Sequence, residues 1–413
     1  MQAFVTSPTS FRTKLLLNSP PRRTRTHPVC TAATRRDVLK LLSAVPLLSH
    51  LPDASPANAQ ALISPTSSGT VFSVIPTTIA DVNLLPESVD DVLDDLTPCE
   101  AVFLGEHHNS LVDHTLQARI IERLAARKPL AVGLEMFQQQ FQPALDKFIA
   151  RDISELDLFL ETDWENSWVW PYEVYLPVLR TCRQYKVPLV ALSMDQGTLN
   201  RLRESGITAL SPSEMRKHVG SPAVFSAISA EDGYKKYVNE CITPSYASHY
   251  KMGVLEKAAN FNSFYTARVL RDEAMATQVA RFLRAHPGHT MVCLMGSDHV
   301  KFEYGVSGRL SRQLTALYER NANVAAVQAA AQSGSDIVTI PAAPVPKVRT
   351  IMLNPGPADA FDYRDGSLKL EMAAGQRPVP IADYLWFSSP AAANPRRRVK
   401  TRLLPPVEHL VNG

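Results

Sequence analysis

The stretch Ala101-Val102-Phe103-Leu104-Gly105-Glu106-His107-His108 changes character in a single step. An apolar run of strand length ends, and a carboxylate and two imidazoles follow at once. A short continuous apolar run of this kind reads as a strand buried on both faces, as strands of parallel sheets are. In open parallel sheets, ligands sit outside the carboxyl ends of the strands. Residues 101–108 therefore predict a fold and a place for chemistry together.

The same pattern recurs along the chain. Leu130–Met136, Val187–Ser193 and Thr290–Gly296 are further apolar runs, with helical periodicity over Leu111–Lys128, through Phe148, over Val174–Tyr185 and over Arg309–Arg320. Val324–Gln328 reads as strand-like, and a polar helix is expected near Glu87–Leu96. Strands alternating with helices at this spacing predict an α/β fold: a mostly parallel sheet flanked by helices. About ninety residues separate the third and fourth runs, too many for one crossover, so a helical insert subdomain is expected over about 196–287. After Ser333, β-prone pieces at Ile337–Ile340, Val348–Leu353, Leu368–Met372 and Tyr384–Phe387 predict a small C-terminal β extension over 333–390. Residues 391–413, with Arg396-Arg397-Arg398 and Pro405-Pro406, read as a disordered tail.

The 413 residues are globular in composition, at 45% hydrophobic and 20% charged. Residues 1–36 hold seven Arg and Lys and no Asp or Glu, with Ser, Thr and Pro between them, which is the make-up of an organellar transit peptide. Arg35-Arg36 then opens a short apolar stretch ending at Ala57-Asn58-Ala59, as in a twin-arginine export signal. Residues 1–59 thus read as a bipartite address for the chloroplast and its thylakoid lumen, and 60–98 as a lead-in. That address carries eight cationic and two acidic residues, a net of +6. The whole chain carries only +3, so the remainder is about −3 and offers no electrostatic support for nucleic-acid binding. No C-x-x-C pair occurs among Cys30, Cys99, Cys182, Cys241 and Cys293, so neither a thioredoxin motif nor a zinc clip is indicated.

The polar residues fall at strand ends. Glu106 and His108 close the first run, Glu135 the second, and Asp298-His299 follow Thr290–Gly296. The spacing Gly105-x-x-His108 repeats as Gly296-x-x-His299, with Gly at the strand end where the chain must turn. His108, Glu135 and His299 form a mixed set suited to Zn, Mn or Fe(II). Glu106, Glu135 and His299 could equally do acid–base work. His107 is expected to point away from His108, because neighbours at a strand end alternate. Trp164, Trp168 and Trp170 are either a loop packed over the sheet or an aromatic wall for a flat ligand. Tyr234, Tyr237, Tyr246 and Tyr250 lie in the helical insert.

The stretches L-G-E-H-H-N-S-L-V-D-H-T-L-Q-A-R, G-L-E-M-F-Q-Q-Q-F-Q-P-A-L-D, W-P-Y-E-V-Y-L-P-V-L-R, R-D-E-A-M-A and G-S-D-H-V-K-F-E-Y-G-V-S-G-R-L resemble, in order, the ChaN-like family of the haem-binding uptake and Tiki superfamily. The resemblance runs from about Cys99 to Ala330 and implies a ChaN-like α/β domain over 99–332. It implies a haem-binding protein with a tyrosine iron ligand. Tyr246 and Tyr250, with His108 and Trp170, are the cofactor-binding residues to expect. The resemblance to Tiki relatives implies instead a metal-dependent hydrolase or protease that uses both G-x-x-H motifs and a Glu. A tetrapyrrole in the thylakoid lumen, for storage, transfer or scavenging, is the leading expectation. A divalent metal such as Zn or Mn is the alternative. Homodimerisation and peripheral contact with the thylakoid membrane stay open.

Overall fold

The computed structural model describes residues 69–77, 84–253, 255, 260–333, 338–375 and 377–388. The address peptide and the C-terminal tail lie outside the described residues, as does most of residues 60–83. Six strands run parallel at the centre: β3 (Ala101–Glu106), β4 (Leu130–Gln138), β5 (Leu189–Ser193), β6 (Thr290–Gly296), β7 (Val348–Leu353) and β10 (Tyr384–Phe387). With β1 (Thr70–Val74) and β2 (Leu84–Glu87) added antiparallel, the sheet has the order β2-β1-β10-β7-β3-β6-β4-β5. A separate hairpin pairs β8 (Glu371–Ala374) with β9 (Arg377–Pro380).

Every residue of β3, β4, β5 and β6 is buried, because helices cover both sheet faces. One core holds Val102, Leu104, Val132, Leu134, Val292 and Leu294 under the helices Leu111–Ala125 and Leu176–Tyr185. The other face packs Phe103, Ala131, Met291 and Cys293 against the long helices Phe261–Ala285 and Val306–Ser333. The outer edge of β5 would be open to pairing with another chain. Gln142 closes it: its amide donates to Leu189 O at 2.8 Å and its carbonyl accepts from Ala191 N at 2.8 Å.

Two segments differ from the sequence reading. Val324–Gln328 is not a strand but part of one continuous helix, Val306–Ser333. The alanines flanking the two valines, Ala325, Ala326, Ala329 and Ala330, are strong helix formers and outweigh the local β preference. Residues 338–340 form no strand, since Pro341, Pro344 and Pro346 just beyond them remove the donors a ladder needs. Of the later C-terminal pieces, Val348–Leu353 and Tyr384–Phe387 join the central sheet, β7 pairing with β3 directly, whereas the Leu368–Met372 piece runs into β8 of the separate hairpin.

Among the described residues between β5 and β6, the regular structure is all helical, from Gln196–Ser205 to Phe261–Ala285. Cys99, Cys182, Cys241 and Cys293 are all buried free thiols. Among the described residues, no helix is long and apolar enough to cross a membrane.

Candidate functional site

Parallel pairing puts the carboxyl ends of β3, β6 and β4 side by side, and in register Glu106 lies opposite Gly296. Residues almost two hundred positions apart therefore meet at one edge. Two carboxylate–imidazole groups are built there, one on each side of Gly296.

The first belongs to β3. The chain turns after Glu106 because Ser110 N–H closes a turn on His107 O at 2.8 Å. The Ser110 hydroxyl then caps the helix Leu111–Ala125 by accepting from Asp113 N. Glu106 is buried, and both its oxygens are occupied. Oε1 accepts from Tyr175 O–H at 3.2 Å and lies 3.0 Å from His108 Nδ1, while Oε2 accepts from Gln117 at 2.6 Å with His114 Nδ1 at 3.4 Å. The His108 imidazole rests against Gly296, where a Cβ would stand 2.6 Å from its Nε2. Trp168 meets this ring edge-on at 5.1 Å and Trp170 lies at 5.9 Å, so the tryptophan loop both packs over the sheet and walls His108. Trp168 in turn donates to Tyr175 Oη at 3.1 Å, and burial beside Glu106 pushes that phenol far above its ordinary pKa.

The second group joins β4, β6 and the helix Phe261–Ala285. Glu135 Oε2 accepts from Gly296 N–H at 2.8 Å. Its Oε1 lies 2.8 Å from Arg271 Nη2 and 3.1 Å from His299 Nε2, close enough for charge pairing although neither contact is aligned as a hydrogen bond. On its other side His299 Nδ1 is 2.5 Å from Asp272 Oδ1, and Asp272 takes both its oxygens to Arg268 Nε at 3.1 Å. Burial would raise the pKa of Glu135, but His299 and Arg271 hold it well below the usual carboxylate range. Burial also favours the acid form of Asp272, which Arg268 and His299 overcome. For His299 the balance runs the other way. Burial and the Arg268 charge both lower it, yet Glu135 and Asp272 together lift it above an ordinary imidazole.

His107 points away from His108, into a clasp with the C-terminal segment. Its backbone N–H and Nδ1 meet Asp113 Oδ2 at 2.9 and 2.8 Å, and its Nε2 lies 3.2 Å from the Asp359 carboxylate. Asp359 also accepts from Ser297 Oγ at 2.8 Å, so one carboxylate ties the loop after β3 to the loop after β6. The hydrogen bonds to Asp113 and then Asp359 raise the His107 pKa to about 10. A raised folded-state pKa means stabilisation that is complete below the unfolded value of about 6.5 and is lost progressively as pH climbs toward 10. We expect the melting temperature of the parent to exceed that of His107→Gln at about pH 6, and the gap to close by about pH 10.5. A gap that stays constant over this range would disprove the clasp as the source.

The insert reaches the same edge through the helix Thr243–Lys251. Ser245 hydrogen-bonds the Asp298 carboxylate, and burial of Asp298 is overcome by Lys301 and Arg268, which hold its pKa far down. Tyr246 on this helix is buried against Phe261 and Phe264, with ring centroids 5.7 and 5.5 Å away, and Tyr250 is 45% exposed. Among the described residues, no group of three or more His, Cys, Asp or Glu side chains is arranged to hold a metal ion. Of the trio His108, Glu135 and His299, the first is turned to Glu106 and the other two to each other and Asp272.

Sequence reasoning did not assign Arg268, Arg271, Asp272, Tyr175 or Asp359 to this edge. One signal was available. Arg268 and Asp272 stand four apart, the spacing at which opposite charges pair on a helix, and Arg271 and Asp272 open the quoted stretch R-D-E-A-M-A.

The sequence model of the family described as "Haem-binding uptake, Tiki superfamily, ChaN" matches residues 92–310, just over half of the chain. A curated relative, the chloroplastic protein RETICULATA-RELATED 5 of Arabidopsis thaliana, is 28% identical over 320 residues. The alignment takes in 72% of this chain, which spans only about a third (35%) of the relative's length. Among solved structures, one of ChaN of Campylobacter jejuni with cofacially bound haem is 14% identical. It covers 76% of this chain and 96% of its own, at a TM-score of 0.43. A mutant erythromycin esterase EreC in its open conformation is 15% identical, covers 77% and 97%, and has a TM-score of 0.35.

Proposed function

The chain belongs to the ChaN family of the haem-binding uptake, Tiki superfamily, and from that premise we propose that its strand-end crevice binds haem or a closely related tetrapyrrole. The observation that carries this reading is the wall around His108. Trp168 and Trp170 present aromatic surface to one imidazole, and the residues beside them are apolar and open to solvent. Val169 is 66% exposed between the two tryptophans. Leu111 and Val112 are 52% and 54% exposed on the first turn after the His108 loop. Exposed apolar side chains on the segments that carry the tryptophans and His108 offer surface that an apolar ligand could cover. A flat macrocycle rewards such a wall by stacking, and its metal needs only one or two axial donors from the protein.

Tyr246 and Tyr250 are the proposed source of a phenolate ligand, with His108 and Trp170 lining the ring. Their helix stands beside Asp298 through Ser245, at the same edge as His108. The hydrolase reading has less support. It needs three protein ligands around one metal with an open position, whereas His299 is engaged on both nitrogens by carboxylates.

The setting is part of the same proposal: a protein of the chloroplast, carried by the twin-arginine route to the thylakoid lumen, where it would store, transfer or scavenge its ligand as a monomer or a homodimer. The chloroplastic relative supports the organelle, and the address-like composition of residues 1–59 supports the lumenal route. Changing Arg35 and Arg36 to Lys should block lumenal import, and unimpaired import would sink that route.

The binding test is a titration of the purified protein with hemin. We expect uptake at one ligand per site with a shifted Soret band. Tyr246→Phe with Tyr250→Phe should weaken that band more than His108→Ala does. No uptake of hemin, together with tight Zn or Mn binding that His108→Ala abolishes, would reverse the assignment.

A further inference from the structure

Arg271 stands apart from the other arginines of the crevice. Arg268 is closed in by Asp272 and by Asp298 O, whereas the Arg271 side chain remains 21% exposed at the strand ends. Its orientation is nonetheless fixed on several sides. Nη2 reaches Glu135 Oε1 at 2.8 Å and Ser193 Oγ at 3.2 Å, and Nε lies 3.4 Å from the same hydroxyl. Ser193 is itself pinned by donating to Glu135 O at 2.6 Å. The guanidinium carbon sits 5.8 Å from the Trp168 ring centre, and that ring is the one packed on His108. Nη1 hydrogen-bonds to no group among the described residues, so one end of a rigid, pre-oriented fork is left for something else.

That geometry suits a carboxylate. A planar guanidinium with spare N–H groups binds carboxylates with charge-assisted and often paired hydrogen bonds, and holding the fork in place reduces the entropy lost on binding. The floor beneath it does not repel an anion, because Arg268, Arg271 and the His299 imidazole interleave with Glu135 and Asp272. Arg271 and Trp168 are close enough, at 5.8 Å, for one ligand to touch both.

We infer that Arg271 is the seat for a carboxylate at the ligand's edge, so that the crevice takes free-acid tetrapyrroles in preference to esterified ones. This rests on the haem reading above and adds the ligand's chemical class to it. Arg271 is then a specificity-determining residue, whereas Ser193 and Glu135 position it.

The test compares hemin with hemin dimethyl ester on the full chain, for the parent, Arg271→Gln and Arg271→Lys. The parent should prefer hemin by about tenfold to a hundredfold, the range expected for one hydrogen-bonded charge pair. Arg271→Gln should lose most of that preference by weakening hemin alone, and Arg271→Lys should fall between. Circular dichroism on each variant checks that the fold is retained, and the ester comparison on the parent needs no variant at all. If hemin and its ester bind the parent equally well, the haem reading stands and the carboxylate seat is overturned. An Arg271→Gln variant that weakens both ligands alike has the same consequence. If neither ligand binds, the haem reading has failed and this inference goes with it.

Discussion

Asp272→Ala is expected to cost the fold about 3–5 kcal/mol, the range for removing one partner of a buried ion pair. Arg268 is almost wholly enclosed, and its Nε has both oxygens of Asp272 at 3.1 Å. Without Asp272 that guanidinium keeps only the Asp298 carbonyl, and His299 loses the acceptor at its Nδ1. The loss leaves a positive charge buried and half-solvated by protein, which is why it exceeds the value of an exposed pair several-fold. Against a total stability of about 5–15 kcal/mol, a drop of that size should lower the melting temperature by roughly 5–15 °C. Thermal unfolding by circular dichroism measures it. Removing both charges at once, as Arg268→Met with Asp272→Leu, should recover much of the loss, because the apolar replacement buries no lone charge. An Asp272→Ala protein melting within about 2 °C of the parent would show that the pair is not a pillar of the fold.

The same pair shows what a sequence can and cannot announce. β3, β4 and β6 are legible because a strand buried on both faces must be apolar throughout, and that constraint is written in consecutive residues. The strand ends are legible for the same reason: a polar residue closing such a run needs partners of its own, and Glu106, Glu135 and His299, all buried, find theirs at one edge. Helix residues carry no such marker. Which side of Phe261–Ala285 meets the crevice depends on how it packs against β5 and β6, so Arg271 and Asp272 stay anonymous until the tertiary structure turns them inward. Tyr175 and Asp359 are harder still, since each reaches the edge from a segment whose own pattern says nothing about it. Val324–Gln328 failed for the complementary reason, as five residues are too few to separate a strand from the continuation of a helix that began eighteen residues earlier.

Gly305→Ala tests the loop that delivers His299, and it should damage both stability and the His299 site. Between His299 and the helix Val306–Ser333 the chain doubles back through Phe302 and Glu303, both left-handed at φ 63° and 58°. That turn brings residue 305 against the His299 peptide. A Cβ at 305 would stand 2.1 Å from His299 O and 2.7 Å from its carbonyl carbon. Both are backbone atoms, so no side chain can swing aside, and either the turn or the His299 peptide has to move. Overpacking of this kind costs about 1–3 kcal/mol and more where the backbone itself is the obstacle. The displacement should also carry the imidazole away from Glu135 and Asp272, the two carboxylates that lift its pKa. In an NMR titration, His299 of the variant should therefore titrate lower, toward an ordinary imidazole, alongside the reduced denaturant midpoint. Gly356→Ala provides the comparison, because a Cβ there meets nothing within 4 Å, and it should shift stability by no more than about 0.5 kcal/mol. A Gly305→Ala protein as stable as Gly356→Ala would mean that the turn yields without cost. An unchanged His299 titration beside a large loss of stability would locate the strain in the turn and leave the carboxylate–imidazole group intact.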